Sequence, residues 1–367
     1  GGFSASAPWR EVKLKSEKMA AKENPKPGFE AQPERRSAPR QEIKPSYSRN
    51  AFWNNYKGRR IYMYTFRMAK GFPPLSRIVG NPAAGRGEND APRAEYTEIG
   101  RKIHFIINEV IASYPQIGIC RMILMPDHIH LVIFVKEEID RHVGRVIGHI
   151  KTLCSSKLKE LATAKSENPH GNKESLSIFD GKPQHTILKG KGQLERMIRY
   201  VEDNPRRLLL KRSNPELFRI RRGLEICGRL FAALGNIFLL RKPSIVTVRV
   251  RRRFTDTEAA KYRERCLERA RGGAVLVSPF ISAKEKEIQR LALEAGASII
   301  IIRKEGIPPL FKPPGKLFDL CSEGRLLYLA PWEYETRKSD LTRSECVEMN
   351  EIAEAIAGEE LVLRLKA

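Results

Sequence analysis

The chain has 367 residues, which is enough for two domains. It carries 67 Lys and Arg against 43 Asp and Glu, and this net charge of +24 favours a polyanionic partner, nucleic acid before a membrane surface. No uncharged apolar run is long enough to span a bilayer, and the six scattered cysteines form no Cys-x-x-Cys pair, which argues against a membrane span, a disulfide scaffold and a zinc knuckle.

The first 50 residues are rich in Lys, Arg, Glu, Pro, Ser and Ala and contain very few large apolar side chains. A segment of this composition cannot bury enough apolar surface to offset the entropy lost on folding. We therefore predict a disordered basic arm over residues 1–50, and a solvated tail without a specific role is its simplest interpretation.

Residues 51–212 show the patterns of an antiparallel α+β domain. The predicted strands lie at 60–68, 117–125, 128–135 and 183–188, the predicted helices at 95–113, 139–161 and 193–203, and the loops at 71–91 and 164–181. Asn204-Pro205 is expected to end the last helix, because proline has no N–H to donate. This order predicts a ferredoxin-like sheet with its helices on one face.

The strand after Met125-Pro126-Asp127 is apolar except for two histidines. Side chains alternate between the faces of a strand, so His128 and His130 share one face and Ile129 points outward on the other. Two neutral imidazoles side by side make half of a divalent-metal site. The motif is short, and a pair of partly buried histidines with local hydrogen bonds remains an equal alternative.

The predicted helix at 193–203 carries the second group of candidate residues. Tyr200 and Asn204 are four positions apart and share a helix face. Taken singly, Tyr200 is typical of a packing residue and Asn204 of a helix end. Together with a histidine pair, a tyrosine and an amide are the parts of a site that cleaves phosphodiesters, in which a metal ion offsets the charge on the phosphate.

Two blocks of the sequence resemble a known family. Met125 to Leu131 is similar to the Met-Pro-Asn-His-hydrophobic-His-Leu block of single-tyrosine HUH transposases, the insertion-sequence-200-like and REP-associated tyrosine transposases. Tyr200 to Pro205 looks like their Tyr-Ile-x-x-Asn-Pro block. The resemblance covers about residues 53–210, with two departures: Asp127 stands where asparagine is usual, and the loops at 71–91 and 164–181 are longer.

The resemblance implies an HUH catalytic domain at 51–212 that cleaves single-stranded DNA and transfers the strand through a covalent 5′-phosphotyrosine. The implied roles are Tyr200 as nucleophile and His128, His130 and Asn204 as metal ligands. Oxygen-rich octahedral coordination at such a site favours Mg²⁺ or Mn²⁺. The basic residues around Tyr200 in the sequence could hold backbone phosphates and are the predicted DNA contacts: Arg196, Arg199, Arg206 and Arg207. Single-stranded or hairpin DNA would be the partner, in a bacterial cytoplasm at the nucleoid, and a homodimer is left open. The alternative is a catalytically inactive, domesticated transposase-like DNA-binding protein.

The sequence changes character after residue 212. Residues 213–242 are predicted as a β-rich connector, residues 243–358 as strands alternating with helices, and residues 359–367 as a tail. Alternation of this kind predicts a parallel, doubly wound Rossmann-like sheet. No Gly-x-Gly-x-x-Gly or Walker motif is present, which argues against nucleotide binding. The domain faintly resembles the Rossmann-like core of DNA-processing proteins, and we interpret it as a structural or DNA-gripping accessory.

Overall fold

The computed structural model describes residues 54–161, 177–251, 253–334 and 340–358. The predicted basic arm at 1–50, most of the predicted loop at 164–181 and the predicted tail at 359–367 lie outside these residues.

The first half of the described chain forms a four-stranded antiparallel sheet with three long helices. Its elements are β1 (Arg60–Arg67), β2 (Ser76–Val79), β3 (Arg93–Tyr96), α1 (Glu98–Ala112), β4 (Ile117–Leu124), β5 (His128–Val135), α2 (Val143–Lys157), β6 (Gln184–Leu188) and α3 (Gln193–Ser213). The strand order is β4-β5-β1-β6. The central strands β1 and β5 are rich in β-branched and aromatic residues, which suit a sheet buried on both faces.

The helices lie on both faces of this sheet. The sequence prediction placed them on one face only, and it is wrong in this respect. Ile129, Leu131 and Ile133 of β5 pack into the core formed with α1 and α2. On the opposite face, Met63 and Val132 pack against Val201 of α3. The alternate positions of β1 and β5 are apolar on both sides, so the second face also needs a helix to exclude water.

The structure differs from the sequence prediction between residues 71 and 98. The predicted loop at 71–91 contains a strand, and the helix predicted from residue 95 begins later. β2 and β3 form a two-stranded antiparallel sheet, and α1 begins only at Glu98. Thr97 caps the helix by accepting a hydrogen bond from the Gly100 backbone N–H at 3.1 Å. The chain at Leu75 crosses α1 so closely that a Cβ on Gly100 would lie 1.9 Å from the Leu75 carbonyl oxygen, which explains a glycine inside the first turn.

The second half of the described chain forms a six-stranded sheet. Its elements are β7 (Arg221–Ile226), β8 (Arg229–Gly235), β9 (Ile245–Thr247), α4 (Asp256–Arg271), β10 (Val275–Ser278), α5 (Ala283–Glu294), β11 (Ile299–Ile302), α6 (Lys316–Ser322), β12 (Leu326–Ala330) and α7 (Arg343–Gly358). The order is β7-β8-β12-β11-β10-β9, and the four strands from β9 to β12 are parallel. Helices α4, α5 and α6 pack on one face and α7 on the other.

The expected connector is a β-hairpin that belongs to this second sheet, so the sheet is mixed and not purely parallel. β8 pairs antiparallel with β12, and β7 pairs antiparallel with β8. The hairpin satisfies the backbone groups that would otherwise be exposed along β12. At the end of β8 the chain passes so near β12 that a Cβ on Gly235 would lie 2.1 Å from the Leu326 carbonyl oxygen.

Three helices of this half begin with a capping box, at Thr255 with Glu258, Ser282 with Glu285 and Thr342 with Glu345. All six cysteines are free. Among the described residues, no helix has both the length and the apolarity needed to cross a membrane.

The two sheets lie in one compact unit. Helix α3 of the first half contacts α6 of the second. Arg206 on α3 donates to Asp319 on α6 at 2.5 Å. Helix α3, which carries Tyr200 and Asn204, is therefore also an element to which the second half is attached.

Candidate tyrosine–histidine site

His128 and His130 lie side by side on the face of β5 that α3 covers. Their Nε2 atoms are 3.2 Å apart, and their rings meet edge to face with centroids 4.7 Å apart. His130 is only 5% exposed. Ile129 between them points into the opposite core and is fully buried, so the prediction that it faces outward is wrong.

The second nitrogen of each imidazole is held by a neighbouring oxygen. His130 Nδ1 lies 3.0 Å from Thr65 Oγ1, and His128 Nδ1 lies 2.7 Å from Asp127 Oδ1. A carboxylate only accepts, so the His128 Nδ1–H donates to Asp127 and leaves the Nε2 lone pair free. The same hydrogen bond lowers the pKa of the Asp127 carboxyl. Aspartate at this position is thus a strong acceptor for the histidine beside it.

His130 is held neutral by its surroundings. Burial lowers its pKa to about 3, and the nearby His128 and Lys312 act in the same direction. When the Thr65 hydroxyl accepts from the His130 Nδ1–H, the Nε2 lone pair of the neutral ring points toward His128 and is available as a ligand.

The geometry of the two histidines fits one metal ion. Two nitrogens bound about 2.1 Å from an ion at angles of 90–109° lie about 3.0–3.4 Å apart, and the observed Nε2 separation is 3.2 Å. Within the described ranges, no cluster of three or more His, Cys, Asp and Glu side chains could hold a metal. A third protein ligand from these ranges would be a residue of another type, such as an amide.

Tyr200 lies next to this pair. Its ring centroid is 5.9 Å from that of His130, with the rings inclined at 62°. The side chain is 37% exposed, so a substrate can reach it. The fold thus brings together a histidine strand and a tyrosine helix that are distant in the sequence.

Helix α3 does not end before Pro205 but continues to Ser213. Pro205 cannot donate to the carbonyl of Val201, which is its partner four residues earlier. The buried Asn204 side chain takes over this role, because its Nδ2 lies 3.4 Å from the Val201 oxygen and 3.0 Å from the Tyr200 oxygen. The side-chain amide therefore repairs the helix that proline interrupts, and the sequence prediction of a helix stop is wrong.

This geometry leaves the carbonyl oxygen of Asn204 as the atom that could bind a metal. In the part of the chain that the structure describes, the Asn204 side chain makes no hydrogen bond to either histidine. Its role as a third ligand stays a prediction.

The repair of the helix by Asn204 can be tested with a double-mutant cycle in EDTA. Asn204→Ala should lower the free energy of unfolding by about 1–2 kcal/mol, because it leaves the Val201 carbonyl without a donor. In a Pro205→Ala background the restored N–H serves that carbonyl, and the cost of Asn204→Ala should fall by about 1 kcal/mol. Urea titrations of the four proteins give both costs, and equal costs in the two backgrounds would refute the repair.

A cleft of about 740 Å³ opens beside Tyr200. It is lined by α3, by the loop between β2 and β3 and by the beginning of α6: Pro82, Ala83, Ala84, Arg86, Ala91, Pro92, Arg196, Arg199, Tyr200, Glu202, Asp203, Arg206, Arg207, Gly315 and Asp319. The long first loop and the second half of the chain both contribute walls. Sequence reasoning found neither, because the patterns of a segment do not show which distant segment it meets.

The four predicted DNA-contacting arginines fall into two pairs. Arg196 and Arg199 line the cleft, and neither forms an ion pair with a residue in the described ranges. Arg206 is paired with Asp203 at 2.7 Å and with Asp319. Arg207 donates to the Pro313 carbonyl at 3.0 Å and stacks on Phe318 at 3.7 Å. The second pair thus holds the two halves of the chain together.

Glu202 ties the first loop to α3. It accepts from Arg121 of β4 at 3.1 Å and is also paired with Arg86 of the loop. This carboxylate is largely buried, so it positions the two arginines at the edge of the cleft and neutralises part of their charge. Arg196 and Arg199 line the cleft without a carboxylate partner among the described residues.

Arg67 is a further residue that sequence reasoning missed. It lies opposite His128 in the β1–β5 pairing, two pairs beyond Thr65 and His130. Residues directly opposite each other in an antiparallel pair share a face, so Arg67 is on the histidine face. Only the register of the two strands reveals this.

No protein-family model matches the sequence, and no curated protein matches it. A solved structure of a REP-associated tyrosine transposase bound to a REP hairpin is 13% identical, with a TM-score of 0.28, over 43% of this chain and 73% of that one. DNA processing protein A from Helicobacter pylori gives 19% identity and a TM-score of 0.29, over 38% and 66% of the two chains. DNA processing protein A from Streptococcus pneumoniae gives 16% identity and a TM-score of 0.29, over 46% of this chain and 60% of that one. TM-scores of this size do not establish a shared function.

Proposed function

We propose that this protein is a metal-dependent single-strand DNA nuclease and strand transferase with Tyr200 as its nucleophile. The observation that carries the proposal is the meeting of three side chains. The Nε2 atoms of His128 and His130 converge at 3.2 Å, and the ring of Tyr200 lies 5.9 Å from that of His130. A convergent ligand pair next to an accessible phenol is suited to attack on a phosphodiester.

His128 and His130 would hold the metal, with the Asn204 oxygen as the proposed third ligand. Mg²⁺ or Mn²⁺ bound there would supply positive charge that polarises the scissile phosphate. Asp127 and Thr65 fix the imidazoles in the orientation that metal binding needs, since each holds one Nδ1. Burial keeps His130 unprotonated and ready to bind.

Tyr200 would carry out the covalent step. Its hydroxyl oxygen attacks the phosphorus and forms a P–O bond, while the bond from phosphorus to the 3′-oxygen of the preceding nucleotide breaks. The phenolic proton leaves to solvent, and the departing oxygen takes one up as a 3′-hydroxyl. The resulting 5′-phosphotyrosine keeps the energy of the phosphodiester, so a second 3′-hydroxyl can reverse the step and complete strand transfer.

The cleft beside Tyr200 is suited to a single strand of DNA. Arg196 and Arg199 lie along its wall without carboxylate partners among the described residues, so their charges are available to phosphates. In this proposal Arg206 and Arg207 act indirectly, by fixing the wall that α6 contributes. Single-stranded or hairpin DNA is the proposed substrate class, and binding at the bacterial nucleoid follows from it.

The finer fold assignment is part of the same proposal. The four-stranded sheet would be a ferredoxin-like HUH domain of the REP-associated type, at residues 51–212. The six-stranded sheet would be a Rossmann-like accessory domain in which the hairpin of β7 and β8 replaces a separate connector. Whether two copies act together as a homodimer is a further element of the proposal.

Cleavage of a labelled single-stranded hairpin oligonucleotide in Mn²⁺ tests the proposed function. We expect a shorter product that ends in a 3′-hydroxyl, together with a protein-linked species on a denaturing gel, and both should be absent in EDTA. Binding without cleavage would instead favour the catalytically inactive DNA-binding protein. Undiminished cleavage in EDTA would exclude the metal-dependent mechanism.

A further inference from the structure

The segment between β11 and α6 lies against the tyrosine helix. The Pro313 carbonyl of this segment accepts a hydrogen bond from Arg207, and the Arg207 guanidinium stacks on Phe318 while lying 5.7 Å from the Tyr200 ring. Asp319 adds the ion pair with Arg206. The second half of the chain is thus fixed within two helical turns of the proposed nucleophile.

This attachment places Lys312, which precedes Pro313, at the histidine face. Its positive charge acts on both Asp127 and His130. Asp127 directly precedes His128 in the sequence, and His130 follows it by two positions. Lys312 is exposed as a whole residue, while partial burial of its ammonium lowers its pKa.

The surroundings of Lys312 carry more positive than negative charge. The residues whose charges act on its ammonium are three cations and one anion: Lys211, Arg207, Arg67 and Asp127. Asp127 already hydrogen-bonds His128, and no carboxylate in the described ranges forms an ion pair with Lys312. Like charges at short range repel. An anion bound between these cations would offset their mutual repulsion.

A phosphate is the anion that fits this arrangement. The cations approach from three elements: Arg67 from β1, Lys211 and Arg207 from α3, and Lys312 from the segment before α6. Arg67 lies on the histidine face, and the Arg207 guanidinium lies 5.7 Å from the Tyr200 ring. A phosphodiester bound there would contact the lysine and face the tyrosine hydroxyl at the same time.

We propose that Lys312 contacts the scissile or adjacent phosphate of the DNA strand, so that the second half of the chain completes the tyrosine site. The proposal rests on the proposed function and deepens it, since it assigns a substrate contact to the domain interpreted as an accessory. Lys312 donates hydrogen bonds and supplies charge; it forms no covalent bond and transfers no proton.

Binding of single-stranded oligonucleotide to the full chain, measured over a series of salt concentrations, tests this assignment. Lys312→Met keeps the length of the side chain and removes its charge. Lys316→Met, at an exposed lysine at the start of α6, is the matched control. We expect Lys312→Met to weaken binding by about 5-fold and to reduce the slope of log K against log salt by about 0.7, the value for one phosphate contact on a single strand. Lys316→Met should change neither, and Lys312→Arg should restore binding.

The outcomes separate this inference from the proposed function, because binding is measured without cleavage. If the unaltered protein forms the DNA adduct but Lys312→Met binds with unchanged affinity and slope, Lys312 is not a phosphate contact and the nuclease remains. If no adduct forms but Lys312→Met still loses affinity and slope, the phosphate contact stands and the nuclease assignment fails. The melting temperature of Lys312→Met should not fall, since an exposed cation among cations is removed.

Discussion

Replacing Tyr200 with phenylalanine should remove the covalent protein–DNA adduct while leaving the fold and DNA binding intact. The change deletes only the hydroxyl oxygen, which is the attacking atom, and the yield of adduct should fall by about 10³-fold or more. Among the described residues this hydroxyl has no hydrogen-bond partner, and the side chain is 37% exposed. The free energy of unfolding should therefore change by no more than about 0.5 kcal/mol.

Tyr334→Phe is the matched control for this substitution. Tyr334 is similarly exposed, at 41%, and lies outside the residues that line the cleft. Its variant should form the adduct at the yield of the unaltered protein. An adduct of normal yield in Tyr200→Phe would show that another group is the nucleophile.

Replacing either histidine with alanine should abolish tight binding of the divalent metal. Each imidazole supplies one of two convergent nitrogens, so we expect Mn²⁺ affinity to fall by about 100-fold or more in His128→Ala and His130→Ala. Thr65→Val removes only the oxygen that orients His130 and should cost about 10-fold. Titration calorimetry with Mn²⁺ measures all three.

Two features of the structure keep the metal experiment interpretable. His128 is partly exposed whereas His130 is buried, so His128→Ala tests the site without opening a cavity in the core. His149 is exposed on α2, and His149→Ala should bind Mn²⁺ like the unaltered protein. If His128→Ala and His130→Ala both bind Mn²⁺ with unchanged affinity, the two histidines are not metal ligands and have only a structural role.

The elements that carry the site could be predicted from the sequence. The strand at His128–Val135 and the start of α3 at Gln193 lie where the patterns placed them. Alternation along a strand is a local property, and it was enough to put His128 and His130 on one face. The spacing of Tyr200 and Asn204 likewise predicts a shared helix face without any tertiary contact.

The continuation of α3 through Pro205 could not be predicted from propensity alone. Proline inside a helix normally removes a hydrogen bond and ends or bends the element. Here the preceding Asn204 supplies the missing donor, and the apolar face of the helix is held against β1 and β5 through Val201. Tertiary packing outweighs the local signal, as it often does for single residues.

Arg67, Lys312 and the hairpin pairing were missed by sequence reasoning because their positions depend on long-range contacts. Arg67 faces His128 only in the observed register of β1 and β5. Lys312 reaches the site because Arg207 holds the neighbouring Pro313. The hairpin of β7 and β8 adds to the second sheet by pairing with β12, which is distant in the sequence. None of these contacts produces a periodic pattern in the amino-acid sequence from which it could be predicted.

The most direct test of the central claim is to locate the DNA-linked residue by mass spectrometry. The full chain is incubated with single-stranded hairpin DNA and Mn²⁺, the DNA is trimmed with nuclease, and the protein is digested with trypsin. We predict that the peptide from Tyr200 to Arg206 carries the added mass of a 5′-phosphorylated nucleotide on Tyr200, and that EDTA prevents the modification. Cleaved DNA with an unmodified Tyr200 peptide, or a nucleotide attached to a different residue, would contradict the account.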